Sequence, residues 1–152
     1  MNTKKQLLVS ALKNGTVIDH IPADSLFNVI TILGLDKIKN QITFGTNLQS
    51  QKLGAKAIIK ISEKYFQDDD INRIALVAPT AKLNIIKDYQ VQSKTAVEIP
   101  DVIEGIAKCF NPNCITNNDK VKTKFYVISK RSVKLRCHYC EKITDHEHLE
   151  IQ

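Results

Sequence analysis

The sequence predicts an α+β fold in two parts: a ferredoxin-like sandwich, with an antiparallel sheet and two helices, followed by a small all-β, four-cysteine domain of the zinc-ribbon type. Two observations lead to this prediction. The first 100 residues alternate strand-like and helix-like segments as β-α-β-β-α-β, with an extra strand at each end. The cysteines are confined to the last 44 residues. The run Ile99-Pro100-Asp101 is the expected hinge between the two domains, because proline biases the residue before it to extended geometry. We therefore expect domains at residues 1–100 and 101–152.

The strands of the first domain follow from β-rich runs separated by turn residues. Asn14-Gly15 is a strong turn signal between the first two runs. The sequence predicts strands at Gln6–Leu12, Thr16–Ile21, Gln41–Leu48, Lys56–Ile61, Lys82–Ile86 and Tyr89–Val97. In the second domain, the segment Val102–Lys108 leads into the first cysteine pair. The long loop between the two pairs is expected to contain two strands, at Phe125–Ile128 and Val133–Arg136.

Two helices follow from capping residues and apolar residues at helical spacing. The first begins at Pro22-Ala23-Asp24-Ser25, where Asp or Ser is the expected cap, and ends at Gly34. The second is expected to be capped by Asp68-Asp69-Asp70 and stopped by Pro79. One face of this second helix should carry Ile71, Ile74, Ala75 and Ala78.

The cysteines form two closely spaced pairs, Cys109 with Cys114 and Cys137 with Cys140, separated by 22 residues. Two such pairs on tight turns provide the four thiolates of a tetrahedral zinc site, and a closed shell of four thiolates makes the zinc structural. Disulfides would need an oxidising compartment. A redox role for the second pair alone would leave the first pair unexplained. The nearby histidines could compete as ligands, and we interpret them as surface residues: His138, His146 and His148.

Composition and charge narrow the possible classes of protein. With 43% hydrophobic and 25% charged residues, the chain resembles globular proteins rather than disordered or collagen-like ones. It has no apolar run long enough to cross a bilayer, and its start lacks the apolar stretch of a signal peptide, so we expect a cytoplasmic protein without a membrane partner. The formal net charge of +6 favours anionic partners: nucleic acid, nucleotides or an acidic protein surface.

A catalytic centre is not evident in the sequence, which has neither a glycine-rich phosphate loop nor a zinc-binding His-Glu helix. Only Asp19-His20 resembles a site. Neighbours on a regular strand point to opposite faces, so both residues reach one ligand only where the pleat breaks, just before Pro22. Otherwise they are a solvent-facing acid and a structural histidine. Further polar residues on predicted strands suit a polyphosphate and a base edge, or are simply solvent-exposed: Lys56, Lys60, Asn84, Tyr89 and Lys94.

These residues together resemble a known family. The run from Gly15 to Pro22, GTVIDHIP, occurs with the polar residues just named, with Ala78-Pro79, and with Cys-Phe-Asn-Pro-Asn-Cys…Cys-His-Tyr-Cys-Glu-Lys near the end. In this order and over nearly its whole length, the chain resembles the aspartate carbamoyltransferase regulatory chains. The resemblance implies a non-catalytic subunit of pyrimidine biosynthesis that binds CTP and ATP, with UTP as a further candidate, and allosterically modulates the catalytic subunits.

The resemblance also assigns roles to particular residues. Asp19 and Lys60 should hold the ribose and base region, while His20 and Lys94 meet the phosphates and Lys56 assists with phosphate or a metal. Ser10 stands where an acidic residue is expected, which leaves nucleotide preference open. The base pocket should be lined by Leu12, Asn84, Ile86, Tyr89 and Val91.

In the second domain, the resemblance implies one structural zinc ion per chain and a surface that docks on the catalytic chain. Regulatory chains of this family pair as homodimers through their first domains and bridge two catalytic trimers. The docking residues should be Asn111, Asn113, His138, Glu141 and Lys142.

Two other functions are consistent with parts of the sequence. A nucleic-acid-binding zinc-ribbon protein would use the basic run Lys108–Arg136, with Phe125 and Tyr126 as stacking residues. The acidic tail in the same domain argues against a nucleic acid polymer as partner. A stand-alone zinc enzyme would need an open coordination position, which four thiolates do not leave.

Overall fold

The structure is a computed structural model that describes residues 11–152. Most of the predicted strand Gln6–Leu12 therefore lies outside the described residues, as does Ser10, and the two residues of that strand that are described are not in a strand. The chain divides into two compact units, the first ending at Val97 and the second beginning at Glu98. Within the described part of the chain, no helix combines the length and apolar character needed to cross a membrane.

The described part of the first unit, residues 11–97, forms a five-stranded antiparallel sheet with two α-helices, which confirms the predicted α+β class. Its strands lie in the order β2-β3-β1-β4-β5. The elements, in chain order, are β1 (Gly15–Pro22), α1 (Leu26–Ile32), β2 (Ile42–Ser50), β3 (Gly54–Ser62), α2 (Asp68–Val77), β4 (Lys82–Lys87) and β5 (Gln90–Ala96). One-turn helices precede and follow α1, at Ala23–Ser25 and Leu35–Lys37.

The core of this unit lies on one face of the sheet. Ile18 pairs with Ile59 on one side and with Leu83 on the other, and all three are buried. The helices supply further buried side chains: Leu26, Val29, Ile74, Ala75 and Leu76. Since side chains alternate along a strand, the residues between these belong to the opposite, open face of the sheet.

The predicted helix ends are confirmed, Ser25 occupies the predicted cap position of α1, and the predicted cap of α2 is wrong. After α1, Gly34 takes the left-handed conformation with φ of 64°, and α2 ends at Val77, two residues before Pro79. Ser25 precedes α1 but makes no side-chain capping bond, because its φ and ψ (−99° and −3°) are already helical rather than extended. Asp24 lies inside the preceding one-turn helix.

In α2 the cap position belongs to Gln67, which makes no side-chain capping bond either. The three aspartates at 68–70 occupy the first turn instead, where their carboxylates interact favourably with the positive end of the helix dipole. The apolar face agrees with the prediction for Ile74, Ala75 and Ala78, which are buried, while Ile71 is half-exposed.

The second unit is built from short strands, as the sequence predicts. A four-stranded sheet has the order β10-β9-β8-β6, and a separate pair joins β11 to β7. Phe125, Ile103 and Leu135 are the buried side chains at its centre. The elements are β6 (Val102–Glu104), β7 (Ala107–Lys108), α3 (Ile115–Asn118), β8 (Lys124–Ser129), β9 (Lys134–Cys137), β10 (Ile143–Thr144) and β11 (Glu150–Ile151).

Candidate functional site

The four cysteines of the second unit converge on one point. Their sulfur atoms all lie within 4.8 Å of one another. The Sγ atoms of Cys109 and Cys140 are 3.6 Å apart, as are those of Cys114 and Cys137. These distances are far too long for a disulfide, at about 2.05 Å. They fit the separation of roughly 3.8 Å between two sulfurs that each lie about 2.3 Å from a tetrahedral metal. The donor set and its geometry therefore fit zinc.

Two tight turns hold these sulfurs in place. In the first, the N–H of Cys114 donates to the carbonyl of Asn111, and the side-chain amide of Asn117 donates to the carbonyls of Cys109 and Asn111. In the second, the N–H of Glu141 donates to the carbonyl of Cys137. Glu141 has φ of 64°, the left-handed geometry that closes this turn.

The thiols have different proton affinities without a metal. Burial raises the pKa of Cys109 and of Cys137. Burial also acts to raise the pKa of Cys140, but hydrogen bonds from the Lys142 backbone and the Asn111 side chain outweigh it and lower that pKa to about 7. The close approach of four neutral, buried thiols does not stabilise the protein by itself. A bound cation, by contrast, deprotonates the thiols that coordinate it. The site is thus arranged for a metal.

The histidines of this unit are exposed, as interpreted from the sequence, and the metal-ligand cluster found in residues 11–152 consists of cysteines alone. His138 accepts from or donates to the Tyr126 hydroxyl through Nδ1 at 2.7 Å. The other residues predicted to dock on a partner lie on or beside the two turns. Asn113, Glu141 and Lys142 are exposed, while Asn111 is half-buried.

In the first unit, predicted site residues meet in one row across the open face of the sheet. Lys60 pairs with Val17, Val17 with Asn84, and Asn84 with Lys94. Thr43 on β2 extends the row on the far side of Lys60. Directly paired residues on antiparallel strands have their side chains on the same face, so the row brings an amide between two ammonium groups.

The pleat breaks where the sequence analysis requires it. Between β1 and β3 the pairing jumps from Ile18↔Ile59 to Ile21↔Ala57, so Asp19 and His20 together oppose one residue: a β-bulge. His20 has φ of 59°, which is uncommon for a residue other than glycine.

The bulge brings the two side chains together and adds a lysine. His20 Nδ1 lies 3.5 Å from Asp19 Oδ2, and Lys56 Nζ lies 3.0 Å from Asp19 Oδ1. The Thr80 hydroxyl donates to the His20 carbonyl at 2.8 Å. Burial, followed by the charges of nearby lysines against the opposing charge of Asp19, lowers the pKa of His20.

Two polar atoms in this region lack a hydrogen-bond partner among the described residues although they are buried: Asn84 Oδ1 and His20 Nδ1. The 3.5 Å contact of His20 with Asp19 is an ion-pair distance with unsuitable geometry for a hydrogen bond. Burial also lowers the pKa of Lys60. Buried polar groups without partners are rare in folded proteins, and a bound ligand is one explanation for them.

A cavity of about 190 Å³ opens at one end of the row. Leu12, Lys60 and Tyr89 line it, together with Thr43 and Ser62. Two other residues predicted for the base pocket, Ile86 and Val91, are paired across β4 and β5 near the same end, Ile86 buried and Val91 exposed. The structure thus places Leu12, Lys60 and Tyr89 at the cavity and Ile86 and Val91 near it. Asn84 and Lys94 lie in the row with Lys60, and Asp19, His20 and Lys56 lie at the bulge.

The alternative nucleic-acid interface loses one of its two aromatic residues. Phe125 is fully buried, because β8 turns it toward the core of the second unit. Tyr126 remains partly exposed, with Lys124 Nζ and the Arg136 guanidinium each within 6 Å of its ring centre. A single ring is a poor platform for successive bases.

Sequence reasoning missed several residues of the open face. Thr43, Ser62 and Gln41 line the cavity. Lys52 and Lys82 lie close enough to His20 to lower its pKa through their charges. The alternation along β4 from Asn84 to Lys82 was the available signal for Lys82, whereas Lys52 lies in a turn, where no periodicity applies.

The comparisons with known proteins address the chain as a whole. The sequence profile described as "Aspartate carbamoyltransferase regulatory chain, allosteric domain" matches residues 7–98, and that described as its metal binding domain matches residues 101–150. The chain is 55% identical to the aspartate carbamoyltransferase regulatory chain of Bacteroides thetaiotaomicron over 97% of both chains. It is 55% identical to that of Pyrococcus horikoshii, over 95% of this chain and 96% of the relative.

These matches cover both units and carry one and the same description. The first unit is an allosteric domain, the second a metal-binding domain whose four cysteines are clustered. A regulatory chain is a non-catalytic subunit, and its name implies the catalytic chain as its partner. The chain belongs to the family of aspartate carbamoyltransferase regulatory chains.

Proposed function

We propose that the first unit binds a nucleoside triphosphate, CTP or ATP with UTP as a further candidate, on the open face of its sheet. The observation that carries this proposal is the row Lys60–Val17–Asn84–Lys94. This row crosses the strands of the sheet, with the cavity on one side of it and the bulge at Asp19-His20 on the other. It offers cations, an amide and a cavity on one surface, which are the groups that phosphates and a base require.

The dimensions of the face support an extended ligand. On β4, Ile86 near the cavity and Lys82 beside the bulge are four residues apart, or about 14 Å at roughly 3.4 Å per residue. The base would lie at the cavity end, against Leu12, Ile86, Tyr89 and Val91. In the middle, Asp19, Lys60 and Asn84 would contact ribose and base. The phosphates would meet His20, Lys94 and Lys56.

Charge and unsatisfied polar atoms support the same assignment. A phosphate oxygen would accept from a protonated His20, whose Nδ1 is buried without a hydrogen-bond partner among residues 11–152. The Asn84 Oδ1 atom would accept from an exocyclic amine or a hydroxyl. Charge-assisted bonds of this kind are shorter and stronger than neutral ones.

In the second unit we propose one structural zinc ion, held by Cys109, Cys114, Cys137 and Cys140. Zinc bound by four thiolates supplies folding free energy and no catalytic position. The unit has few buried side chains of its own, and a metal is a common remedy in domains of this size. The two turns that hold the cysteines would also carry the docking surface for the catalytic chain, at Asn111, Asn113, His138, Glu141 and Lys142.

Regulation would then act by linkage in pyrimidine biosynthesis. Regulatory chains would pair through their first units and bridge two catalytic trimers, as the family resemblance implies. A nucleotide that fits the open face differently in two quaternary states biases the equilibrium between them, typically by about 1–3 kcal/mol. Zinc-unit contacts would transmit this bias, because they join the regulatory chain to the catalytic chain.

Co-expression with the catalytic chain tests this function. We expect a complex larger than a catalytic trimer, whose activity toward aspartate changes when CTP or ATP is added. The catalytic chain alone, at the same nucleotide concentrations, is the control. A complex that forms but responds to neither nucleotide would contradict the regulatory role of the site, and the absence of any complex would contradict the docking role.

A further inference from the structure

Three lysines gather at one end of the open face, the end near the bulge where all five strands of the sheet end or begin. Lys82, the first residue of β4, pairs directly with Asp19. Lys56 on β3 pairs with Pro22 just beyond the bulge. Lys52 lies in the tight turn that joins β2 to β3. This turn is closed by the pair Ser50↔Gly54, at the same end of the sheet as Lys56 and Lys82. The strand register thus places Lys56 and Lys82 beside the bulge, and the turn places Lys52 at the same end of the sheet.

The charges of this cluster are not balanced. Asp19 is paired with Lys56 at 3.0 Å. In the part of the chain that the structure describes, no ion pair joins Lys52 or Lys82 to an acid. After burial and the opposing effect of Asp19, the charges of Lys56, Lys82 and Lys52 lower the pKa of His20. Like charges held close together destabilise the empty site and are relieved when an anion binds.

Lys82 also continues the row of proposed phosphate contacts. It lies two residues from Asn84 on the same face of β4, a distance of about 7 Å, and Asn84 pairs with Lys94. The cavity lies at the opposite end, next to Lys60 and Tyr89. A nucleotide with its base at the cavity therefore extends its outermost phosphates beyond Lys94, toward Lys82 and Lys52.

We infer that Lys52 and Lys82 bind the terminal phosphates and make the site selective for triphosphates over monophosphates. This inference rests on the proposed nucleotide site and adds two residues to it. A monophosphate ends near Lys94 and does not reach the pair. A triphosphate gains two ammonium contacts, so the pair determines the length of phosphate chain that binds, while the base subsite is unaffected.

The test measures binding of CTP, CMP and inorganic tripolyphosphate to the purified full-length chain and to its Lys52→Gln and Lys82→Gln variants. We expect each variant to lose about tenfold in CTP affinity, which corresponds to ~1.4 kcal/mol, and less than twofold in CMP affinity. Tripolyphosphate should compete with CTP on the wild-type chain and compete less well on the variants. Lys82→Arg should keep most of the CTP affinity, because it keeps the charge.

Lys37→Gln is the matched control, since Lys37 is exposed in the one-turn helix after α1 and carries the same charge. Unchanged CTP affinity in both variants would overturn the inference while leaving the nucleotide site intact. An equal loss of CTP and CMP affinity would also overturn it, because it would show a general effect on the site. A wild-type chain that does not bind CTP would overturn both this inference and the proposed function.

Discussion

The backbone N–H of His20 donates to the Oδ1 atom of Asp19 at 2.7 Å, so two neighbours on one strand share a hydrogen bond and a surface. A regular strand would turn them to opposite faces. The bulge against β3 and the left-handed backbone of His20 remove this restriction. Backbone of this kind costs roughly 1–3 kcal/mol and persists where the surroundings hold it. Here the Thr80 hydroxyl donates a hydrogen bond to the His20 carbonyl and stabilises this backbone. The result is that an acid and a base lie side by side, near three lysines.

Replacing Lys94 with alanine should weaken nucleotide binding about tenfold, because one charge-assisted contact of ~1.4 kcal/mol is lost. Lys94 lies exposed on the edge strand β5, so the fold should not change. Equilibrium binding of CTP and ATP to the full-length chain measures the loss. Lys37→Ala removes an equal charge elsewhere and should bind normally. Wild-type affinity in Lys94→Ala would count against the proposed phosphate site.

Replacing Cys114 with serine should remove metal from the second unit and abolish association with the catalytic chain. Its sulfur lies 3.6 Å from that of Cys137, and the remaining three thiols cannot complete a tetrahedral shell. Metal content per chain and size measurement after co-expression check this. Lys120→Ser changes an exposed residue of the same unit and should keep the metal. A variant that co-purifies at wild-type stoichiometry would refute the docking role.

Acidification should tighten triphosphate binding through His20. Burial is the main cause that lowers the pKa of His20 in the empty protein; the charges of Lys56, Lys82 and Lys52 add to it against the opposing charge of Asp19, so the ring is neutral near pH 7. A bound polyphosphate favours the protonated ring and raises that pKa, so binding takes up a proton as pH falls from about 8 to 6. Affinity measured against pH should rise more steeply for the wild type than for His20→Gln. The ligand's own titration is common to both, and equal slopes would exclude His20 as the source.

The same pKa has a consequence for stability. Because the folded-state pKa of His20 lies below its unfolded value of about 6.5, the unfolded chain binds more protons between those two values. Stability without ligand should therefore fall as pH decreases through 6.5 toward the folded pKa. Urea unfolding of wild type and His20→Gln at pH 8 and pH 6 tests this, and a loss of stability that is the same in both proteins would contradict it.

Gly15 should be far less tolerant of alanine than Gly54. An added Cβ at Gly15 would collide with the Ile61 carbonyl oxygen, and the φ of +147° at Gly15 is unfavourable for other residues. We expect Gly15→Ala to cost about 3 kcal/mol or more. Gly54 has φ of +76° and nothing within 4 Å of an added Cβ, so Gly54→Ala should cost only ~1 kcal/mol. Denaturant unfolding measures both, and equal costs would contradict the close approach of β1 and β3.

The sequence predicted most of the fold because its signals are local. Apolar alternation marks the strands around Ile18 and Ile59, and Gly34 and Pro79 end the helices where they were expected to. The side-chain capping bonds could not be predicted in the same way, because capping depends on the backbone geometry at one residue. Ser25 has the right side chain, but its backbone is already helical.

For the candidate site, residue spacing was enough to predict the metal-binding cysteines, but it was not enough to predict contacts that depend on strand register. Four cysteines in two pairs predict their own convergence, and the structure brings their sulfurs together. The row from Lys60 to Lys94 joins residues 34 positions apart through Val17, so it depends on pairings that no local pattern specifies. Lys52 could not be found from periodicity at all, because it lies in a turn.

Equilibrium binding of CTP to the purified full-length chain tests the central claim most directly, namely that the open face of the first unit is a nucleoside triphosphate site. The account predicts saturable binding of CTP, displaced by ATP, at about one site per chain, and strongly weakened in Lys94→Ala. Binding that is absent, or that does not saturate and is unchanged in Lys94→Ala, would contradict the account.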